Sequence, residues 1–150
     1  MIIVKNVDQF NNDNVYFCEP IKNNIMNNGH FIRILYSTPL FNLNGIYLFI
    51  TINHHSIEKY YNKYKCSFDI HVYQNIIEKL KYIEDDILKK VGIKGKVPQY
   101  KLYEQMQNGN IKIIADNIDK LNNTFLLKIA GIWETETEYG LTYKFNKLST

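Results

Sequence analysis

The chain has 150 residues, which is the size of one domain, and 45% of them are apolar, so general disorder is excluded and a sizeable core is expected without staples. The formal net charge of +3 permits a polyanionic partner without requiring one. No run approaches the roughly 20 apolar residues of a membrane span, and the opening MIIVKNVDQF has neither a long apolar core nor a small-residue cleavage site, so an intracellular protein is expected, in cytoplasm or nucleus.

In chain order, residues 2–7 are a short strand candidate, and NVYFCEPI (14–21) is a second one, stopped near Pro20. Residues 22–29 are turn-rich and read as a loop. HFIRILYST (30–38) alternates: Phe31, Arg33, Leu35 and Ser37 share one side, and Ile32, Ile34 and Tyr36 the other. GIYLFITIN (45–53) is apolar on both sides and reads as a central strand or one under a helix. The connection PLFNLN between them predicts an antiparallel hairpin. Residues 54–65 read as a long loop or short helix, and CSFDIHV (66–72) as a half-buried strand. Ile76, Leu80, Ile83, Ile87 and Val91, widened by Ile77 and Leu88, form the stripe of an amphipathic helix over about 74–91, with Gly92 at its C-terminal end. A short helix is expected after Pro98, ending at Gly109, then a strand at 110–115. The end of the chain reads as a hairpin, with Phe125, Leu127, Ile129, Gly131 and Trp133 on one face and Leu141, Tyr143 and Phe145 answering on the return.

This order predicts one α+β domain over 1–150, either a mostly antiparallel sheet packed on one main helix or an OB-like five-stranded barrel with additional N-terminal strands. In the barrel version the core covers about 30–145, and about 94–115 is an inserted segment.

Catalytic chemistry is poorly represented. His54 and His55 point to opposite sides if extended, and no Asp, Glu or Cys cluster sits at ligand spacing around them; the other histidines are His30 and His71. Cys18 and Cys66 match no metal spacing and have no motif-spaced base. GIKGK (92–96) lacks the length and the Ser or Thr of a phosphate loop. No enzyme, cofactor or metal is expected.

Binding of a polyanion has a better basis, because such proteins combine cations for phosphates with aromatic rings for bases. EKYYNKYK carries Lys59, Lys63 and Lys65 among Tyr60, Tyr61 and Tyr64, and KKVGIKGKVPQYKLY carries Lys89, Lys90, Lys94, Lys96 and Lys101 with Tyr100 and Tyr103. Both segments flank the helix and are expected to line one groove. Arg33 lies opposite Ile32 and Ile34. Lys112, Lys128 and Lys144 lie on strands, the last two at neighbouring outer positions. Trp133 is expected in the core.

KVPQYKLYEQMQNGNIKI (96–113) and LLKIAGIWETETEYGLTYKF (126–145) resemble stretches of small proteins from large, AT-rich eukaryotic DNA viruses of the poxvirus and giant-virus type. The Asn-, Ile- and Lys-rich usage, with Arg33 the sole arginine, has the same flavour. The resemblance implies a viral protein similar to the single-strand-binding proteins of replication, with Lys112, Lys128 and Lys144 as backbone contacts. The expected function is therefore non-catalytic binding of single-stranded DNA, or RNA. The alternative is a viral structural or protein-interaction module, dimerising through a sheet edge or meeting a viral or host protein at Glu134, Glu136 and Glu138.

Overall fold

The computed structural model describes residues 5–23, 29–53, 56–114 and 124–147. Residues 2–4 of the first expected strand, the middle of the expected 22–29 loop, and His54 and His55 lie outside them. In chain order the elements are β1 (Lys5–Asn6), β2 (Val15–Phe17), β3 (Ile21–Asn23), β4 (Gly29–Ser37), β5 (Asn42–Asn44), β6 (Ile46–Thr51), β7 (Ser56–Tyr60), β8 (Lys63–Ser67), α1 (Gln74–Val91), β9 (Val97–Gln99), α2 (Lys101–Gln107), β10 (Asn110–Ile114), β11 (Thr124–Glu134) and β12 (Glu138–Lys147).

The strands form one mixed sheet whose main path runs β1-β6-β11-β12-β10-β8-β7. Its spine is the β11–β12 hairpin, which is long enough for each strand to serve two partners on its outer edge. β11 pairs with β6 through 124–129 and with β4 through 131–134. β12 pairs in parallel with β9 near residue 139 and with β10 at Phe145. The expected OB-like barrel is therefore incorrect. A barrel closes only when its terminal strands pair, whereas here β1 and β7 end the path on opposite sides of the spine and the sheet stays open. Residues 97–114 contribute two strands of this sheet and the helix between them.

The expected hairpin between residues 30–38 and 45–53 is also replaced. β4 turns back onto β5 instead, with Leu35 opposite Asn44. Gly45, at φ 105°, then redirects the chain so that β6 joins β11. A Cβ there would sit 3.0 Å from the Ile129 carbonyl, so both the left-handed backbone and the close approach favour glycine. Residues 56–67, read as loop or helix followed by strand, form the β7–β8 hairpin. Its turn is polar and its strands are Tyr- and Lys-rich, which masked the period-2 pattern. The chain leaves β8 at Ser67 and turns through residues 70–73 into α1, so residues 68–72 are not the expected continuous strand.

One face of the sheet is closed by α1 and α2. Ile34, Leu48, Ile50, Ile111, Phe125, Leu127 and Ile129 meet Ile77, Leu80, Ile87, Leu88, Leu102 and Met106 in a single core, all essentially without solvent exposure. Burial on this scale stabilises by roughly 25 cal/mol per Å² of apolar surface removed from water. α1 has the predicted bounds, but its buried stripe is rotated toward Ile77, Glu84 and Leu88. Glu84 is fully buried because it caps α2: its two carboxylate oxygens accept from the backbone N–H groups of Leu102 (3.0 Å) and Tyr103 (2.9 Å). Burial outweighs these two bonds and pushes the Glu84 carboxyl up to about 7.

The register of β11 shifts between Ile129 and Gly131. This bulge flips the alternation, so Ile132 continues the core and Gly131 and Trp133 turn to the opposite face. Trp133 was expected on the Phe125–Ile129 face, and the extra residue is why it is not there. Gly131 admits no side chain, since a Cβ would meet the Ile32 carbonyl at 2.3 Å and the Phe31 ring at 2.7 Å.

Candidate nucleic-acid interface

On the face away from α1, strand registry assembles what the sequence scatters. Lys128 on β11 lies directly opposite Lys144 on β12. Ile113 of β10 is in register with Phe145, which sets Lys112 beside Lys144. Lys112 is in turn opposite Lys65 of β8. Four adjacent strands thus present one lysine each at one level of one face. Neighbouring strands are about 4.8 Å apart, so the row spans about 14 Å between its outermost Cα atoms. Tyr47 of β6, opposite Lys128, extends the row at one end, with the ammonium 5.5 Å from its ring centroid. Glu58 of β7, opposite Lys65, ends it at the other. Lys65, Lys112 and Lys144 are exposed and Lys128 is half-buried.

Two residues along the strands, a second level holds Leu126, Asn146, Ile114, Lys63 and Tyr60. Tyr60 and Tyr61 pack edge to face at 4.9 Å at the β7–β8 turn and are 70% and 82% exposed, so both rings are open to a ligand. In the other direction Arg33 is exposed opposite Gly131, and Trp133 lies across Gly140.

Like charges directly opposite each other on a sheet destabilise it. Among the described residues none of the four lysines is in an ion pair. The row is thus a run of adjacent like charges with no ion pair among the described residues.

The remaining expected residues are elsewhere. Lys59 is opposite Tyr64 on the helix-covered face, its ammonium 5.7 Å from that ring. Lys96 pairs with Glu134 Oε2 at 2.8 Å, while His30 approaches the other oxygen at 3.8 Å. Tyr100 donates its hydroxyl to Asp85 of α1 (2.9 Å). Burial, and then that carboxylate, push Tyr100 up to about 12. Lys89 and the Tyr100 hydroxyl together hold Asp85 below its usual value. Lys94 and Lys101 are exposed around the α1–α2 connection. The structure therefore does not bring the 59–65 and 94–101 segments into one groove. It joins the first of them to Lys112, Lys128 and Lys144 and leaves the second beside the helices.

A cavity of about 820 Å³ opens beside the lysine row, where β10 and β12 share only the Ile113–Phe145 pairing. Lys65, Lys112 and Lys144 stand at it, with Tyr64, Phe145 and Gln105 among its walls. The Tyr143 hydroxyl donates to Gln105 Oε1 at 2.7 Å. Burial, then the nearby Glu84 and Glu104 carboxylates, push that hydroxyl up to about 12, so it stays a donor.

Tyr47, Gln105 and Asn146 were not singled out from sequence. The outward alternation of Tyr47, Phe49 and Thr51 was hidden in an all-apolar run, and Gly131 inside a strand was the one available sign of the bulge that turns Trp133 outward. Among the described residues no group of three or more His, Cys, Asp or Glu side chains could hold a metal ion. No protein-family model, curated protein or solved structure matches the chain.

Proposed function

We propose that the open face of the sheet binds single-stranded nucleic acid without catalysis and without reading its sequence. The observation that carries this reading is the in-register row Lys128, Lys144, Lys112, Lys65. Each ammonium is a mobile point charge on a long stem, suited to a flexible phosphate backbone. Tyr47 at one end of the row and Tyr60 and Tyr61 near the other offer ring faces or edges on which splayed bases stack, at about 1–3 kcal/mol per base. Arg33 and Lys63 lie one level to either side and widen the positive field. A single strand is the form that offers unpaired bases to the exposed rings of this face.

Fluorescence anisotropy with labelled oligo-dT across a salt series tests the reading. Four phosphate contacts predict a slope of log K against log salt of about −3. Replacing Lys112 and Lys144 together by Gln reduces its magnitude by about 1.4. No binding at low salt, or a slope indifferent to these two lysines, overturns the proposal.

A further inference from the structure

Resting on that reading, we propose that the cavity between β10 and β12 receives the base of one nucleotide, whose phosphate lies on the lysine row, so that this face holds a nucleoside monophosphate unit as well as a strand. The cavity volume, about 820 Å³, lies within the roughly 300–1,000 Å³ of small-ligand sites. Its composition divides as a nucleotide does. Tyr60 and Ile114, 70% and 66% exposed on the same face as the lysines, supply an aromatic and apolar surface for a flat ring, and Lys65, Lys112 and Lys144 supply cations for the phosphate.

On the helix side of the cavity stands a pre-set polar group. Tyr143 holds the Oε1 end of the Gln105 carboxamide, leaving its amide hydrogens without a partner among the described residues and available to a ring carbonyl or ring nitrogen. Gln105 projects from α2, which packs on α1 and is capped by Glu84, so the group is carried on a rigid element. Asn146, on the next turn of the β12 alternation, gives a second carboxamide at the same cavity. A bare track for phosphates needs neither the cavity nor the oriented amide.

Isothermal titration of the full chain with nucleoside 5′-monophosphates, ribose 5-phosphate and inorganic phosphate tests this. Nucleoside monophosphates are expected to bind at least about tenfold tighter than ribose 5-phosphate, from ring burial and stacking. Gln105→Ala lowers nucleotide affinity about five- to tenfold and leaves the salt slope for oligo-dT unchanged. Gln105→Glu keeps the acceptor for Tyr143, and therefore the fold, while removing the donors, and gives the same loss. Competition between the monophosphate and linear strands, but not circular ones, assigns the site to a strand end, and competition by both assigns it to an internal nucleotide; competition by neither, where oligo-dT binds, means that the nucleotide does not share the lysine row and overturns the proposal. Ribose 5-phosphate binding as tightly as the nucleotides, or indifference to both Gln105 substitutions, overturns the proposal. Oligo-dT binding that survives that result leaves the strand reading standing, whereas nucleotide binding without oligo-dT binding removes the strand reading alone.

Discussion

The two faces of the sheet are made by the same strands, yet they are under opposite constraints. On β10, Ile111 and Ile113 are buried beneath the helices while Lys112 between them is exposed. On β12, Phe145 is buried while Lys144 beside it is exposed. The covered face is packed internally: its apolar side chains form one core, and the buried carboxyl of Glu84 caps α2. The open face is not neutralised internally, because its four cations stand beside one another with Glu58, opposite Lys65, as the carboxylate at the end of the row and no ion pair among the described residues. Apolar packing is therefore concentrated on one side, and exposed positive charge on the other.

That contrast can be broken most sharply from the covered side. Phe125→Ala removes a fully buried ring from the centre of the core and is expected to destabilise by about 3–5 kcal/mol, read as a lower urea midpoint with unchanged slope. A loss below about 1 kcal/mol would mean that the sheet does not pack on α1 as described.

Next in size is Glu84. Its folded carboxyl is raised from 4.5 to about 7, so the folded state holds the proton more tightly than the unfolded chain. The sign follows: this stabilisation is fully present below about pH 4.5 and is lost as pH rises through about 7. The loss amounts to about 3 kcal/mol. Urea unfolding at about pH 5 and about pH 8 should show the wild type losing more stability with rising pH than Glu84→Gln, which cannot titrate. Parallel pH profiles for the two proteins would remove the buried cap.

The smallest effect sharpens the other side of the comparison. Replacing Lys112 and Lys144 by Gln relieves like-charge repulsion and should raise stability by about 0.2–1 kcal/mol at low salt, as a higher melting temperature, while strand affinity falls. If the same substitutions destabilise the protein, the lysines are structural and the open face is not a site.

The sequence revealed its elements unevenly. α1 was legible because eighteen residues of 3.6-period pattern and a terminal glycine leave no competing reading. β4 was legible because Ile32, Ile34 and Tyr36 alternate cleanly against Arg33. The β7–β8 hairpin was not, because strands at a sheet's end carry polar and aromatic residues on both sides and lose the contrast on which a period-2 reading depends. The barrel expectation failed on pairing: which strand lies beside which is a non-local choice, and β6 leaves its chain neighbour β4 to pair with the distant β11.

The candidate site divides in the same way. Residue chemistry alone marked Lys112, Lys128 and Lys144 as cations on strand positions, since alternation with buried isoleucine and phenylalanine is a local property, and marked Lys65 only as a cation in an expected loop or short helix. Only the tertiary structure decided that these four stand in one row, that Lys96 and Tyr100 are engaged by Glu134 and Asp85, and that Trp133 faces away from the core. Local pattern sets which face a side chain takes, but registry between strands far apart in the chain sets its neighbours, and a single bulged residue at Ala130–Gly131 reverses the faces for everything beyond it in β11.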